Sequence, residues 1–473
     1  MSETIAQMDR PGTYVEVRAE GLIAAAAPAT GNIGVCGTAA KGVPNEVVAI
    51  GSYAEALDAF GTYDPWEEPV TPDHPLTLTR ALEQAFAGGA RNVFAVRAAN
   101  GDPAAATLAV PAEGDQEGFT LAANQGGTWG DAIQVATASK TVEGSTGWSL
   151  TLTYRNVKEV FEGATVGEIH SQLADPEGGS VLVLVGDVDN ENSGFDVIDE
   201  SLNGGSDGAD VSTADIADAL APLEPEPVNI LLVGGGSAEA HGNIVLAHLE
   251  QTENDGRERI AFLGGTSAGT STSADDLIED TSAVSDDRVV VCAPGMVTTD
   301  APSDTTVRLE PAYTAAMVAG KVATLAPHIS LTNKGLPMTP DVRYSSALVS
   351  RLLSARILMV QQKFGAQVVK AITSSPKPFD QISIRRIVDY AKAGVRSGAN
   401  PYIGRLNNAR VRAALKATLD GFLSQMVLDE MLISYDLEVS ATRAQEIRGI
   451  ASVVMTLRPT FSIDYIRVTL NLE

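Results

Sequence analysis

A chain of 473 residues, 44% hydrophobic and 20% charged, is long enough for two or three domains with separate cores. It holds no run of about 18 apolar residues, and "LIAAAAPA" near its start is short and lacks a basic flank, so neither membrane insertion nor an export signal is expected. The formal net charge of −27 is unevenly divided: residues 334–473 carry 19 Lys and Arg against 11 Asp and Glu, and the first 333 carry 14 against 49. The acidic part argues against nucleic acid and anionic membrane as partners, whereas the basic part suits docking onto an acidic one.

The first element follows Pro11-Gly12. In "TYVEVRAEG", Val15 and Val17 face one way and Tyr14, Glu16 and Arg18 the other, the alternation of an exposed strand. Five apolar runs come next, at 32–39, 92–98, 228–235, 259–265 and 288–294, with helical patterns at 75–88, 212–221, 237–253, 273–283 and 312–326. Strands without polar alternation, separated by helices, predict a mostly parallel sheet covered on both faces. Residues 104–208 interrupt this series with Thr, Gly and Ser, short alternating stretches such as "WSLTLTYRN", and polar turns. They predict a smaller β-rich domain inserted into the α/β one.

After "PHISLTNKGLP" the character changes again. Residues 341–375 read as a helix leading into a strand. Two amphipathic helices follow, the second with Val411, Leu415, Leu419 and Leu423 on one stripe. The chain ends in "RPTFSIDYIRVTLNLE": Phe461, Ile463 and Tyr465 alternate, the phase slips at Ile466, and alternation resumes through Val468, Leu470 and Leu472. Such a pattern is a strand with a bulge or bend. The expected fold class is therefore α/β and α+β multidomain. Its parts are an N-terminal arm (1–22), a discontinuous α/β domain (23–103 and 209–333), an inserted β-rich outer domain (104–208), a C-terminal α+β domain (334–456) and a C-terminal strand arm (457–473). Both ends are open strand edges, which recruit other chains.

Catalytic signals are weak. "GTSAG" at 265–269 fits G-x-S-x-G after a predicted strand, with Ser267 as nucleophile, Asp286, Asp287, Asp300 or Asp304 available, and His328 as the base downstream. Against this, the same text is an ordinary Ser/Thr-rich loop leading to a helix N-terminus, where such residues cap exposed N–H groups, and that is the preferred reading. No phosphate-loop motif is present, and "VGGGSAEAHG" lacks the dinucleotide spacing. His241 and His248 fall on one helix face without a third ligand. The loop 187–200 opens like a calcium loop at Asp187 and Asp189, but Asn192 stands at the glycine position and Ile198 at that of the bidentate Glu. Cys36 and Cys292 lie in apolar strands as buried thiols, with a disulfide left open. No catalytic residue, cofactor or metal is assigned, and function is expected to lie in surfaces.

The N-terminal "RPGTYVEV", the segment "GNIGVCGTAAKGVPNEVVAIGSYAEALDAFG", "PHISLTNKGLP", and the long stretch from "SIRRIVDYAKAGVRSGANPYIGRLNNARVRAALKATLDGFLSQM" to "IDYIRVTL" resemble the sheath proteins of contractile phage tails and related injection machines. The resemblance covers the first hundred and last hundred and fifty residues. It implies a structural subunit, not an enzyme, that polymerises as a helical cylinder around an inner tail tube and contracts to drive that tube through a cell envelope for genome ejection. The implied arm strands are Tyr14, Val15 and Val17 at the front and Phe461, Ile463, Tyr465, Ile466, Val468 and Leu470 at the back. They would pair with the C-terminal domain of neighbours by β-augmentation, hinging at Gly12, Gly21 and Arg458-Pro459. Arg385, Arg386, Arg405, Arg410, Arg412 and Lys416 are the candidates for facing an acidic tube or a neighbour. The implied partners are further copies of the chain, the tail tube, and the baseplate and tail terminator proteins. The implied location is the virion tail sheath, assembled in the host cytoplasm. A serine hydrolase using Ser267 and a non-contractile, self-assembling shell protein are the alternatives.

Overall fold

The computed structural model describes residues 28–66, 76–142, 145–265, 274–282, 284–376 and 379–471. It divides into two compact units. The larger comprises Gly31–Thr324 and Asn333–Pro376, and the other Met1–Thr30, Leu325–Thr332 and Lys377–Glu473.

The larger unit begins with Asn32–Thr38 (β1), Val47–Ile50 (β2), helices Tyr53–Phe60 (α1) and Leu78–Gly88 (α2), and Asn92–Ala98 (β3). The insertion then supplies Thr107–Ala112 (β4), Gln116–Ala123 (β5), Gln134–Val142 (β6), Ser145–Tyr154 (β7), Val157–Gly163 (β8), helix Val166–Leu173 (α3), Val183–Val188 (β9) and Asp199–Ser201 (β10). The chain then returns through Thr213–Leu220 (α4), Ile230–Ser237 (β11), Ala238–Asn254 (α5), Ile260–Gly264 (β12), Ala274–Ser282 (α6) and Val289–Ala293 (β13). Met296–Asp300 (β14), Thr305–Leu309 (β15), Pro311–Ala323 (α7), Gly335–Leu336 (β16), Thr339–Pro340 (β17), Ser346–Ser354 (α8), Ile357–Gln362 (β18) and Ala366–Val368 (β19) follow.

The apolar runs form a nine-stranded sheet of order β16-β19-β18-β13-β12-β11-β1-β3-β2. Pairing is parallel from β18 to β3, with antiparallel strands at both ends. Both faces are covered, as uniformly apolar strands require. Cys36, Leu231, Val233, Ala261 and Val291 share a core with Ile216 and Leu220 of α4 and Val245 and Leu249 of α5. Helices α2 and α7 pack against each other and the sheet, and they cross on glycines. A Cβ on Gly320 would lie 2.0 Å from the Ala85 carbonyl oxygen, and one on Gly88 2.2 Å from that of Met317.

Cys36 and Cys292 are buried free thiols. Their strands are separated by β11 and β12, about 14 Å at ordinary strand spacing, too far for a disulfide. Burial pushes the Cys36 thiol up to about 12 and the Cys292 thiol higher still.

The insertion folds as two antiparallel sheets, β10-β6-β7-β8 and β4-β5-β9. Leu121, Ile133, Leu150, Leu152, Phe161, Ile169 and Phe195 are buried in one core shared with Tyr63 and Leu76. Arg97, fully buried at the end of β3, donates to the carbonyls of Gly42 (2.7 Å) and Gly126 (2.8 Å) and to Asp207 (3.0 Å). One guanidinium thus ties the insertion to the end of β3 at Gly126 and Asp207.

The boundary of the last domain differs from the expectation of 334. Strand β18 pairs in parallel with β13, so 333–376 extends the large sheet and the smaller unit resumes at Lys377. The helix-to-strand reading of 341–375 matches α8 and β18, but an apolar strand such as "ILMV" carries no mark of which sheet it joins.

The smaller unit contains helices Ile382–Ala399 (α9) and Ala409–Leu428 (α10), strand Leu432–Ser440 (β20), the short helix Arg443–Ile447 (α11) and strand Ser452–Pro459 (β21). Asn408 caps α10 through its side chain. Ile384, Ile387, Phe422, Leu423 and Met426 form the contact between α9 and α10, with Gly394 beneath the Phe422 ring, where a Cβ would lie 1.9 Å away. The predicted stripe is confirmed: Leu415, Leu419 and Leu423 are buried and Val411 packs beside them.

Candidate assembly surface of the C-terminal unit

Strands β20 and β21 form a two-stranded antiparallel sheet. Tyr435, Leu437, Val439, Val453, Met455 and Leu457 turn toward the helices, while Ile433, Glu438 and Val454 face out. With two strands, each has one edge unoccupied among the described residues. Such edges are templates for added strands.

The tail leaves this sheet at its end. The Thr460 N–H donates to the Met431 carbonyl at 3.1 Å, and 461–471 enters none of the sheets of the described chain. Phe461, Ile463, Tyr465, Ile466, Val468 and Leu470 are between 58% and 86% exposed. Leaving six large apolar side chains in water forfeits about 1.5–3 kcal/mol each relative to burial. Arg458-Pro459 is the end of β21 itself, so the chain leaves the sheet after Pro459. The front arm residues Tyr14, Val15 and Val17 lie outside the described residues.

The six basic candidates separate by burial. Arg386 is buried and donates to the carbonyls of Thr30 (3.0 Å), Leu325 (2.9 Å) and Ala326 (3.5 Å), and burial pushes its pKa down to about 10. Arg385, also buried, pairs with Asp389 at 2.7 Å and lies 4.6 Å from the Phe379 ring centre. This corrects the expectation that these two face a partner: their guanidiniums are held within their own unit. Arg412 is half-buried between Asn407 Oδ1 (2.8 Å) and Glu446 (3.0 Å), and bonds from Arg443 and Arg412 hold the Glu446 carboxyl below its usual range. Arg405, Arg410 and Lys416 are exposed. The sequence reading missed the exposed apolar residues Ile403, Leu406, Ile447 and Ile450 of the same unit. The loop and the α11 turn that carry these are joined by the Asn407 amide donating to the Ile450 carbonyl at 2.9 Å.

Ser267 lies outside the described residues. The glycine-rich C-terminal end of β11 borders a cavity of about 230 Å³ at the C-terminal ends of β1, β3 and β11, lined by Thr38, Thr77, Asp207, Gly234 and His241. The two threonine hydroxyls are 3.1 Å apart and bonded to each other, and His241 Nδ1 accepts the Ser237 N–H at 3.3 Å. The cavity therefore assembles no nucleophile and base among the described residues. His248 is bonded to Arg259 instead of sharing a site with His241. In the 187–200 loop, Asp196 accepts the N–H groups of Gly114 and Asp115, and no group of three or more His, Cys, Asp or Glu placed to hold a metal occurs among the described residues.

Residues 374–473 match the family model of the phage tail sheath C-terminal domain. No curated protein matches the chain. Among solved structures, the fold is similar to the sheath tail protein of Desulfitobacterium hafniense, with a TM-score of 0.68 and 17% identity over 95% of this chain and 100% of that one. It is also similar to the sheath tail protein of Listeria innocua, with a TM-score of 0.62 and 16% identity over 92% and 96%. The sheath of an extracellular contractile injection system in its contracted state matches at a TM-score of 0.58 and 12% identity over 99% and 98%. The last hundred residues therefore carry the phage tail sheath C-terminal domain, on a chain whose fold is that of sheath proteins from contractile systems.

Proposed function

We propose that this chain is the structural subunit of a contractile sheath, polymerising as a helical cylinder around an inner tube and shortening to drive the tube through a target envelope. The observation that carries the reading is the tail: six apolar residues exposed beyond the last paired strand, on a unit whose small sheet has both edges unoccupied among the described residues. Residues 461–471 of one copy would add to the sheet of another, and the front segment of about 12–20, which alternates in sequence like a strand, would add likewise. Ordering each residue costs about 1–2 kcal/mol of backbone entropy, so a single arm gains little net. Ladder hydrogen bonds at about 0.5–1.5 kcal/mol each, repeated around every ring, hold the cylinder together while its subunits reorient. Arg405, Arg410 and Lys416 would face an acidic tube or a neighbour, and baseplate and terminator proteins would close the two ends. The assembly would form in the host cytoplasm and act in the tail of the finished particle. The chain would have no enzymatic role, since the work is stored in the assembly.

Electron microscopy of the purified protein beside a version lacking 465–473 tests this. Cutting at 465 spares β21, which ends at Pro459. Hollow ribbed tubes from the full chain and dispersed particles from the truncation are the expected outcome. Dispersed particles from both, or the same tubes from both, would overturn the arm reading.

A further inference from the structure

The tail is built in two zones. From 461 to 464 exposure alternates: Phe461 and Ile463 point out, and Ser462 and Asp464 are half-buried. This inverts the usual order, with the polar residues toward the protein and the apolar ones toward water. From 465 to 471 every residue is exposed.

The inward residues are gripped by side chains of their own unit. Gln381 Nε2 donates to Asp464 at 3.1 Å, and the Thr332 hydroxyl donates to the same carboxylate at 3.4 Å. The Ser462 hydroxyl lies 3.3 Å from Gln381 Oε1 and 3.4 Å from Asp464 Oδ1. Gln381 occupies the N-cap position of α9, yet its side chain makes no capping bond. Its amide faces the tail on both its donor and acceptor sides.

We infer that Asp464, Gln381 and Thr332 form a clip that fixes where the arm leaves its subunit and turns Phe461 and Ile463 outward to be covered by a second copy of the chain. The inference rests on the arm reading above and deepens it. The pivot of the arm falls no earlier than Asp464, rather than at Arg458-Pro459, because 460–464 is held on its own unit. Asp464 and Gln381 are thus positioning residues. A neighbour that covers Phe461 and Ile463 meets them in one register, because side chains of period two admit no single-residue slip.

Chymotrypsin distinguishes the two zones in the full-length protein below its assembly threshold. Phe461 lies inside the clip and Tyr465 beyond it, so cleavage after Tyr465 should precede cleavage after Phe461. Asp464→Ala and Gln381→Ala should each raise cleavage after Phe461, relative to Tyr465, by about tenfold, the factor that corresponds to about 1.4 kcal/mol of lost hydrogen bonding. Asp464→Asn, which keeps an acceptor, should restore most of the difference, and the melting temperature of the subunit should stay unchanged. An unchanged cleavage ratio in both alanine variants would overturn the clip. In assembly, the alanine variants should need several-fold more protein to form tubes, or form irregular ones. Normal tubes from the 465–473 truncation would sink the arm reading, while the cleavage ratio still decides the clip.

Discussion

His248 is buried on α5 with Nε2 2.7 Å from a guanidinium nitrogen of Arg259. Arginine only donates, so this nitrogen accepts and the imidazole is neutral. Burial first, and then the Arg259 charge, push its pKa down to about 4, against about 6.5 in an unfolded chain. The unfolded state therefore binds the extra proton as pH falls through this window. The stabilisation is fully present above about pH 6.5 and is lost progressively toward pH 4, by up to about 3 kcal/mol. Urea unfolding between pH 4 and 7 should show this slope, and His248→Gln, which still offers Arg259 an acceptor, should flatten it. The sequence placed His248 and His241 on one helix. It carried no sign that an arginine eleven residues along would claim one of them, because that contact depends on β12 packing beside α5.

Two helix pairs meet on glycine, and the obstruction differs in kind. At Gly394 an added Cβ meets the tip of the Phe422 ring, whereas at Gly320 it meets the backbone carbonyl of Ala85. Gly394→Ala should cost about 1–3 kcal/mol and be largely rescued by Phe422→Leu, which shortens the obstructing group. Gly320→Ala should cost at least as much, with no rescue by a side-chain change on α2. Chemical denaturation of the two single variants and of the Gly394→Ala, Phe422→Leu double variant checks the difference. Helix existence was legible here: α5, α7 and α10 begin and end within a few residues of the periodic pattern. The crossing points were not, because a glycine in a helical pattern does not say which helix comes near it.

Across the whole molecule, the smaller unit is assembled from segments far apart in the chain. Arg386 binds the Thr30 and Leu325 carbonyls to α9, so one side chain closes contacts spanning more than three hundred residues. Arg386→Ala leaves buried carbonyls without donors, at about 1–3 kcal/mol each when fully desolvated. Native-state hydrogen exchange should show α9 and α10 losing protection, while α2 and the central strands of the large sheet keep theirs. Loss of protection throughout the chain would mean that Arg386 supports more than its own unit. Charge also reads differently at this scale. Part of the basic excess after residue 334 belongs to Lys334, Arg343, Arg351, Arg356, Lys363 and Lys370, which lie in the larger unit.

The sequence by itself determined the parallel strands, the helices between them, the β-rich insertion, and an unusual apolar pattern at the C-terminus. Those features follow from periodicity, which is local and survives without knowledge of neighbours. Tertiary structure alone decided that β18 extends the large sheet, that Arg385 and Arg386 are interior groups, and that the tail is gripped at Asp464 before it turns free of any sheet. Each of these depends on which distant segment supplies the partner, and a pattern of residue types along one chain carries no record of that choice.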